Sequence, residues 1–449
     1  MNTITSSSVI LRQLGDDLIL RRSTPADVHA LAEFNSKIHS DFGPDTPDER
    51  IGAWVCDLLT RPHPTFDPAD FTIVEDTRTG KIVSSLNLIP QTWAYAGIPF
   101  GVARIEVVGT HPDYRRRGLV RAQFDEVHAW SQARRHRMQI ITGIPYYYRQ
   151  FGYEMGLDLG GGRVGSESQL PSLKEDESER YHLRLALEND IPFIVQVNHH
   201  ADRRSLVTCP RDEIIWRYEL LGVSPQNVNR CEVRIIETSS GESLGYLTHP
   251  WYNWDNGVSL FSYELKPGVA WMDVTPAVAR YAWKTGQEYA AISGKPVHSF
   301  GFWFGLSHPS YDVFREGLPR VRDPYAFYLR IPDLPAFLRL IAPALETRLA
   351  ASELVVGHTG KLRLNFYRRG LELEFASGQL TCVQAYDPAS SQDGDVAFPD
   401  LTFLQLLFGY RSFDELQLSF ADCWDKNEEA RVLINVLFPK LPSKVQPVA

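Results

Sequence analysis

Hydrophobic and polar positions change their period several times along the chain, which indicates alternating strands and helices. The short run Leu18–Ser23 has the composition of a strand. Thr24 and Pro25 then supply an N-cap and a first helical position, so we expect a helix after the strand. Thr46 and Pro47 repeat this opening and predict a second helix.

The pattern between residues 71 and 144 predicts the strands of a sheet with one helix packed on it. Residues 71–89 have the pattern of a hairpin that turns at Thr79–Gly80. Ile105–Val108 is predicted to be a buried strand, and Met138–Ile144 another. Between these two strands, apolar residues recur at three- and four-residue steps and form one stripe of a helix: Val120, Phe124, Val127 and Trp130.

Changes in composition divide the chain into three parts. The glycine cluster Gly160–Gly162 and the polar run 166–180 mark a linker. A second α/β region follows and repeats the order of strands and helices of the first, without its arginine-rich corner. The character changes again near Ile331, where helices and short strands follow. We therefore expect domains at residues 1–165, 175–330 and 331–449.

Bulk composition narrows the classes of function. The 449 residues carry a formal net charge of −9, which argues against a general nucleic-acid binder and favours cationic partners such as amines. The first residues lack the basic start and apolar core of a signal peptide, and no apolar run approaches the ~20 residues of a membrane helix. We therefore expect a cytoplasmic protein that binds neither nucleic acid nor membrane.

Metal chemistry is not expected from the sequence. The five cysteines are scattered, without a CxxC pair, and are expected to be reduced thiols. His199 and His200 are adjacent, so their side chains face different directions, and no third ligand stands nearby. The segment His249–Gly257 combines aromatic residues with Asp255, which is typical of a pocket for a cationic amine or, the interpretation that we favour, of packing between domains.

An arginine-rich corner stands between the strand that ends at Val108 and the helix after it. Arg115, Arg116 and Arg117 precede Gly118, which lets the backbone approach a ligand closely. A helix N-terminus presents unpaired N–H groups and partial positive charge, and arginine adds forked hydrogen bonds suited to phosphate oxygens. The corner therefore predicts a pyrophosphate site, with a solvated basic loop as the alternative.

These motifs resemble a known superfamily. Arg115-x-x-Gly118 between a strand and a helix, followed by a strand and an aromatic segment, is similar to the coenzyme-A-binding core of the GNAT acetyltransferases, although Val120 occupies a position where the family has a small residue. Tyr148–Tyr153 resembles the corresponding stretch of the enhanced intracellular survival (Eis) acetyltransferases, and residues 396–416 resemble their sterol-carrier-protein-like C-terminal domain. The resemblance implies an α/β (α+β) architecture, with tandem GNAT folds on mixed, splayed central sheets and a sterol-carrier-like α+β domain.

The resemblance also implies where acetyl-CoA, the expected co-substrate, would bind. The strand before the corner would splay from its neighbour, so that its backbone pairs with the pantetheine arm at Val108, Gly109 and Thr110. The corner would hold the pyrophosphate through Arg116, Arg117, Gly118, Leu119, Val120 and Arg121. Gly143 and Ile144, at the end of the next strand, would flank the thioester.

Three residues are candidates for proton transfer. Tyr148 matches the family's general acid, and a pKa near ~10 keeps it protonated, although core packing is the alternative. Glu106 lies on the same strand face as Arg104, and a carboxylate there is costly unless it is paired. It is therefore either a general base acting through water or the partner of an ion pair with Arg104.

The third candidate is the end of the chain. The resemblance implies a terminal carboxylate that is buried in the first domain's active site and serves as general base, which would place this role at Ala449. Alanine is smaller than the family's usual aromatic terminus and buries less surface. A frayed tail is the alternative.

We therefore expect an acetyl-CoA-dependent N-acetyltransferase that modifies a primary amine of a cationic small molecule or a lysine side chain by direct attack. The alternative is a non-catalytic protein that binds coenzyme A or a lipid through its last domain. The resemblance further implies a homo-oligomer, since Eis-like enzymes form closed rings of six.

Overall fold

The computed structural model describes residues 9–173, 176–254 and 256–449. The elements of the first stretch are β1 (Ile10–Gly15), β2 (Leu18–Arg22), α1 (Val28–Ile38), α2 (Glu49–Thr60), β3 (Phe71–Asp76), β4 (Lys81–Tyr95), β5 (Ile98–Thr110), α3 (Leu119–Ala133), β6 (Met138–Ile141) and β7 (Glu154–Leu159).

Two further stretches follow. The elements of the middle stretch are β8 (Gly162–Gly165), β9 (Tyr181–Leu185), α4 (Ile191–Asp202), β10 (Val207–Thr208), α5 (Glu213–Arg217), β11 (Cys231–Thr238), β12 (Ser243–Pro250), β13 (Ser259–Leu260), β14 (Ser262–Leu265), α6 (Trp271–Ser293), β15 (Phe300–Phe302), α7 (Pro309–Val313), β16 (Arg320–Arg322) and β17 (Tyr325–Arg330). Those of the last are α8 (Leu334–Leu340), α9 (Ala342–Ala351), β18 (Gly360–Asn365), β19 (Gly370–Ala376), β20 (Gln379–Tyr386), β21 (Val396–Ala397), α10 (Phe403–Leu407), α11 (Phe413–Ser419), β22 (Trp424–Asp425) and α12 (Glu428–Leu437).

The largest sheet in the described part of the chain is mixed and opens at its centre. Its strand order is β1-β2-β3-β4-β5-β6-β17-β7, with β10 paired to β4. β5 and β6 run parallel, and their ladder extends from Val102–Met138 to Ile105–Ile141. β5 then continues to Thr110 while the chain after β6 turns away. This separation of the two strands is the splay that the resemblance predicts.

The middle region repeats the order of the first. Two four-stranded sheets, β14-β12-β11-β9 and β13-β15-β8-β16, form there among the described residues. The same pattern of ion pairs occurs in both regions. In the first, Arg21 of β2 pairs with Asp27 at 2.7 Å and with Glu75 at 2.7 Å. Arg184 of β9 likewise pairs with an aspartate six residues on and a glutamate on the neighbouring strand, Asp190 at 2.7 Å and Glu237 at 2.8 Å. The tandem arrangement is therefore confirmed.

The last region is α+β. Its sheet has the order β20-β19-β18-β21-β22 in the described residues, and helices cover it. Its core is continuous with that of the first sheet, because Tyr95 packs edge-on against Phe337 and Phe408 with centroids 6.1 Å apart in both pairs. The Tyr95 hydroxyl donates to the Leu407 carbonyl at 2.9 Å. This contact ties the last region to the outer half of β4.

One prediction about the connections is wrong. The glycine cluster at 160–162 is not a linker, because Gly162 begins β8, which pairs with β15 and β16 of the middle region. A Cβ on Gly162 would lie 2.0 Å from the Phe302 carbonyl oxygen, so glycine serves close strand approach there. β17, at the end of the middle stretch, pairs with β6 and β7 in the first sheet. Strands thus cross the predicted domain boundaries, which stay a prediction.

Candidate active site

The arginine corner turns from β5 into α3. Gly118 is the N-cap of α3 with φ +75, a left-handed conformation that glycine adopts without strain. No atom lies within 4 Å of the position of a Cβ on Gly118, so the backbone angle, not space, favours glycine. Leu119 is buried and Val120 packs against the cluster around Phe124. The first two side chains of the helix thus pack inward, whereas Arg121 is exposed, and the first amides of a helix have no partner within it.

The arginines of the corner differ in their contacts. Arg116 is exposed with φ +62 and makes no hydrogen bond or ion pair with another described residue. Arg117 pairs with the exposed Asp16 at 2.8 Å, and such a surface pair is weak. Arg121 donates to Gln150 at 2.9 Å. An incoming phosphate can recruit Arg116 without breaking a contact and Arg117 at small cost.

The strand before the corner contains a β-bulge. Ser85 of β4 pairs with Gly109 and Asn87 pairs with Glu106, so one residue of β4 opposes two residues of β5 between these pairs. One of the two, Val107, has φ +46, which is rare for a β-branched residue and marks local strain. The bulge comprises Val107 and Val108, so it lies at the start of Val108, Gly109 and Thr110, the stretch that the resemblance implies would contact pantetheine.

The other side of the opening is formed by the end of β6. Gly143 has φ +139, and its carbonyl accepts a hydrogen bond from the Tyr325 hydroxyl at 2.8 Å. Ile144 next to it is 63% exposed. A Cβ on Gly143 would lie 3.2 Å from Cε2 of Tyr148, so glycine here lets the tyrosine ring approach the opening.

Tyr148 lies at this opening and is 4% exposed. Burial raises the pKa of its hydroxyl well above the usual range, and the charge of Glu106 raises the pKa further. Its ring packs against Phe124 and Tyr328, with centroids 5.9 and 5.6 Å away. The hydroxyl forms no hydrogen bond with another described residue. Tyr148 is thus a core ring whose protonated hydroxyl remains available as a donor.

Glu106 lies on the face of β5 that packs under α1 and α2. Arg104 Nε donates to Oε1 of Glu106 at 2.9 Å, and the two side chains are 11% and 12% exposed. The Thr142 hydroxyl lies 3.5 Å from the same oxygen. The ion pair that the sequence offers as one alternative is therefore present, and a role as base remains compatible with it.

One buried and one partly buried polar side chain accompany Glu106, Asn87 and His39. Asn87, opposite Glu106, is fully buried, and neither atom of its amide has a hydrogen-bond partner in the described part of the chain. Burial lowers the pKa of His39, and the charge of Glu106 opposes that change. The surroundings of Glu106 thus contain unused hydrogen-bonding capacity, which is unusual in a protein core.

The last ten residues, 440–449, which we call the tail, reach this same face. The Val448 carbonyl accepts from Gln91 Nε2 at 2.5 Å and from Arg104 Nη1 at 2.8 Å. The Val448 amide donates to Gln91 Oε1 at 3.2 Å. The Ala449 backbone oxygen accepts from the Tyr218 hydroxyl at 3.1 Å. The frayed tail, the alternative drawn from sequence, is therefore wrong.

The surroundings of Ala449 come from two regions. Burial lowers the pKa of His63 to about 4, with the Ala449 backbone opposing and Arg104 adding to that shift. Upstream in the tail, the Gln446 carbonyl accepts from Arg211 at 2.6 Å, and its side chain accepts from Ser262 at 2.8 Å. Sequence reasoning missed Gln91, Arg211 and Tyr218. Gln91 is a polar group within an apolar segment, which shows a need for a partner but not its identity, whereas Arg211 and Tyr218 stand among polar neighbours and carry no such signal.

Other sequence expectations concern metals and membranes. Among the described residues, no three or more histidine, cysteine or acidic side chains are placed to hold a metal ion. No described helix is long and apolar enough to cross a membrane. Trp254 of the aromatic segment packs on Trp303 with centroids 4.9 Å apart, whereas Asp255 lies outside the described residues.

Comparison with solved structures shows the fold over nearly the whole chain. A probable N-acyltransferase from Enterococcus faecalis superposes with a TM-score of 0.64 at 15% identity, covering 96% of this chain and 100% of that one. A GCN5-related N-acetyltransferase from Kribbella flavida gives 0.61 at 16% identity, covering 96% and 97%. Eis1 from Mycobacterium abscessus gives 0.55 at 13% identity, covering 95% and 99%.

The sequence comparisons are more local. No curated protein matches the chain. The family described as acetyltransferase (GNAT) domain matches residues 21–156, which run from β2 through the splayed strands and the arginine corner into β7. The chain therefore carries a GNAT acetyltransferase domain and is an acyltransferase.

Proposed function

We propose that the chain is an acetyl-CoA-dependent N-acetyltransferase that modifies the primary amine of a cationic small molecule or a lysine side chain. The observation that supports this most is the opening between β5 and β6, where the ladder ends at Ile105–Ile141 beside the arginine corner. Free strand backbone and a basic helix start lie next to each other there. The free strand backbone can pair with the amides of a pantetheine arm, and the basic helix start can bind a pyrophosphate.

In this proposal the coenzyme lies along the opening. The pyrophosphate takes hydrogen bonds from Arg116, Arg117 and Arg121 and from the amides at Gly118, Leu119 and Val120. The pantetheine arm pairs with the backbone of Val108, Gly109 and Thr110, and the thioester lies between this strand and Gly143 and Ile144. Binding in this order places the acetyl carbonyl at the bulge, where a backbone N–H can polarise it.

The chemistry is a direct transfer. The neutral amine nitrogen attacks the thioester carbonyl carbon, and the carbon–sulfur bond breaks as the tetrahedral intermediate collapses. The proton lost by the amine passes to a carboxylate, and the thiolate receives a proton from Tyr148. Glu106 is one candidate for that carboxylate, and in a chain that ends at Ala449 the terminal carboxylate is the other. Arg104 pairs with Glu106, and it also donates to the carbonyl of Val448, the residue before Ala449, which supports keeping both candidates.

The acceptor class and the assembly are part of the proposal. Glu106 and the overall net charge of −9 favour a cationic acceptor. The likeness to Eis1 from Mycobacterium abscessus supports, at the level of the fold, an Eis-like organisation with domains at 1–165, 175–330 and a sterol-carrier-like 331–449. We extend the proposal to a cytoplasmic homo-oligomer of six chains.

The test compares two neighbouring tyrosines. Purified protein is incubated with acetyl-CoA and a panel of primary amines, including a lysine peptide, and acetylated product is measured by mass spectrometry. Tyr148→Phe should lower kcat by about 10²-fold with little change in acetyl-CoA affinity, because it removes the acid alone. Tyr146→Phe, at a side chain 78% exposed, is the control and should leave kcat unchanged. Absence of any acetylated amine, or equal kcat in both variants, would contradict the proposal.

A further inference from the structure

Arg104 contacts both Glu106 and the tail, the two parts of the proposed site that could receive the proton of the amine. Its Nε donates to Oε1 of Glu106 at 2.9 Å, and its Nη1 donates to the Val448 carbonyl at 2.8 Å. These partners are two and 344 residues away along the chain. The planar guanidinium can hold both at fixed directions, which a single ammonium group cannot do.

The contacts leave one oxygen of Glu106 unused. Oε1 is occupied by Arg104 and lies 3.5 Å from the Thr142 hydroxyl. Oε2 forms no hydrogen bond with another described residue. A carboxylate held through one oxygen presents the other in a defined direction, and that is what a proton acceptor or an ammonium-binding group needs.

The tail is held by the same guanidinium. Val448 is 6% exposed, and its backbone is bound by Gln91 on both its amide and its carbonyl, with Arg104 as a second donor to the carbonyl. Loss of Arg104 would leave the buried Val448 carbonyl with one donor fewer and the partly buried Glu106 without its cation.

A second arginine shows what a merely structural pair of this kind looks like. On β11 of the middle region, Arg234 pairs with Glu232, also two positions away, at 2.5 Å, and its guanidinium lies 5.8 Å from the Tyr281 ring. Arg104 lies at the same distance, 5.8 Å, from the Trp54 ring. Arg234 forms no hydrogen bond with the tail in the described residues. The two pairs thus differ in the contact with Val448.

We propose that Arg104 is a positioning residue that sets the direction of the Glu106 carboxylate and the place of the tail with one guanidinium. This inference rests on the proposed acetyltransferase function for its kinetic consequence, whereas the contact with the tail can be tested without turnover. The acceptor amine then binds between β5 and the tail, and Arg104 keeps the positions of these two segments coupled.

The experiment measures hydrogen–deuterium exchange of peptides covering residues 440–449, and kcat and KM with the panel amine that the unmodified protein acetylates best. The variants are Arg104→Gln, Arg104→Lys, Gln91→Ala and the control Arg234→Gln. Arg104→Gln should speed exchange at 445–449 at least about tenfold. It should also lower kcat by about tenfold or more, with acetyl-CoA KM within about twofold, because in the proposed binding mode the coenzyme contacts the backbone of Val108, Gly109 and Thr110 and the arginine corner rather than the Arg104 side chain.

The remaining variants separate the two contacts. Arg104→Lys should keep either the contact with Glu106 or the contact with the Val448 carbonyl. It should therefore retain either the kcat or the slow tail exchange of the unmodified protein, but not both. Gln91→Ala should speed tail exchange with a smaller loss in kcat, since Glu106 keeps its partner. Arg234→Gln should leave both readouts within about twofold.

Two results would overturn the inference: tail exchange in Arg104→Gln equal to that of Arg234→Gln, or a kcat in Arg104→Gln equal to that of the unmodified protein. Full recovery of both readouts by Arg104→Lys would likewise show that a charge alone suffices. If the unmodified protein acetylates no amine, the proposed function fails, and the exchange comparison still decides the contact between Arg104 and the tail.

Discussion

Individual residues at the corner show how local chemistry can be predicted. Arg116 and Gly118 both have positive φ, so the backbone of the corner takes the left-handed conformation at two of three successive residues. The sequence signal for this was the glycine after the arginines, because glycine adopts left-handed angles freely. No comparable signal exists for Val107, whose φ of +46 is imposed by the neighbouring strands.

Arg116 supplies the first prediction. Arg116→Ala should weaken acetyl-CoA binding by about tenfold, because a charge-assisted hydrogen bond to phosphate is lost. The control is Arg135→Ala, an exposed arginine with φ +60 beyond the C-terminal end of α3. Calorimetric titration with acetyl-CoA compares the two. Equal dissociation constants in both folded variants would exclude the corner as the phosphate site.

At the scale of elements, the two α/β regions share an order of strands but differ at the corner. In the middle region β14 ends at Leu265 and α6 begins at Trp271. Lys266 in this connection pairs with Glu242 at 2.7 Å, and Asp273 lies in the first turn of α6. An acidic side chain at a helix N-terminus opposes a bound phosphate.

The second prediction follows from this difference. Calorimetric titration should show one acetyl-CoA bound per chain, not two, although the fold is repeated. The replacement Gly268→Asp in the middle corner should leave the affinity within about twofold, because no phosphate binds there. Gly118→Asp in the first corner should weaken it by about tenfold or more through charge repulsion. A second binding event lost in Gly268→Asp would contradict this reasoning.

Elements that carry their own signals were predictable, and those defined by distant partners were not. The hairpin turning at Thr79–Gly80 and the helix after Gly118 have local turn and capping residues. The place of β17 between β6 and β7, by contrast, depends on pairing across more than 160 residues. The same holds for the contact of Arg104 with Val448, since a buried strand shows only that its polar residues need partners.

At the scale of the molecule, the tail joins all three regions. Lys444 pairs with the fully buried Glu264 at 2.6 Å, and Arg204 binds the other oxygen of that carboxylate. Nε2 of His308 lies 3.7 Å from Oε1 of Glu264. Burial alone would raise the pKa of Glu264, but Lys444, His308 and Arg204 together bring it well below the usual range. The carboxylate therefore stays charged and holds the tail against the middle region.

The third prediction concerns stability and its pH dependence. Glu264→Gln should lower the free energy of unfolding at pH 7 by about 2–3 kcal/mol, because Lys444 and Arg204 lose a buried partner but, at 20% and 36% exposure, are partly solvated without it. Since the folded pKa of Glu264 is depressed, its contribution is present above the unfolded pKa near ~4.3 and is lost as pH falls further. The difference between variant and unmodified protein should therefore shrink below about pH 4.

Chemical denaturation at several pH values measures this effect. The control is Glu242→Gln, which removes a pair whose glutamate is 62% exposed and should cost at most about 1 kcal/mol. If the two variants unfold at the same denaturant concentration at pH 7, the buried pair does not hold the tail.

The late strand β17 has a consequence for the order in which the protein can be made. β7 ends at Leu159 and β17 begins at Tyr325, so the ribosome adds the whole middle region before the strand that lies between β6 and β7 exists. At about 5–20 residues per second, this delay is roughly 8–30 s. During that time β6 and β7 have unpaired edges, which are prone to join other chains. Nascent chains of this protein should therefore need a chaperone most while the middle region is being translated, and a gene fragment encoding only residues 1–165 should yield aggregates.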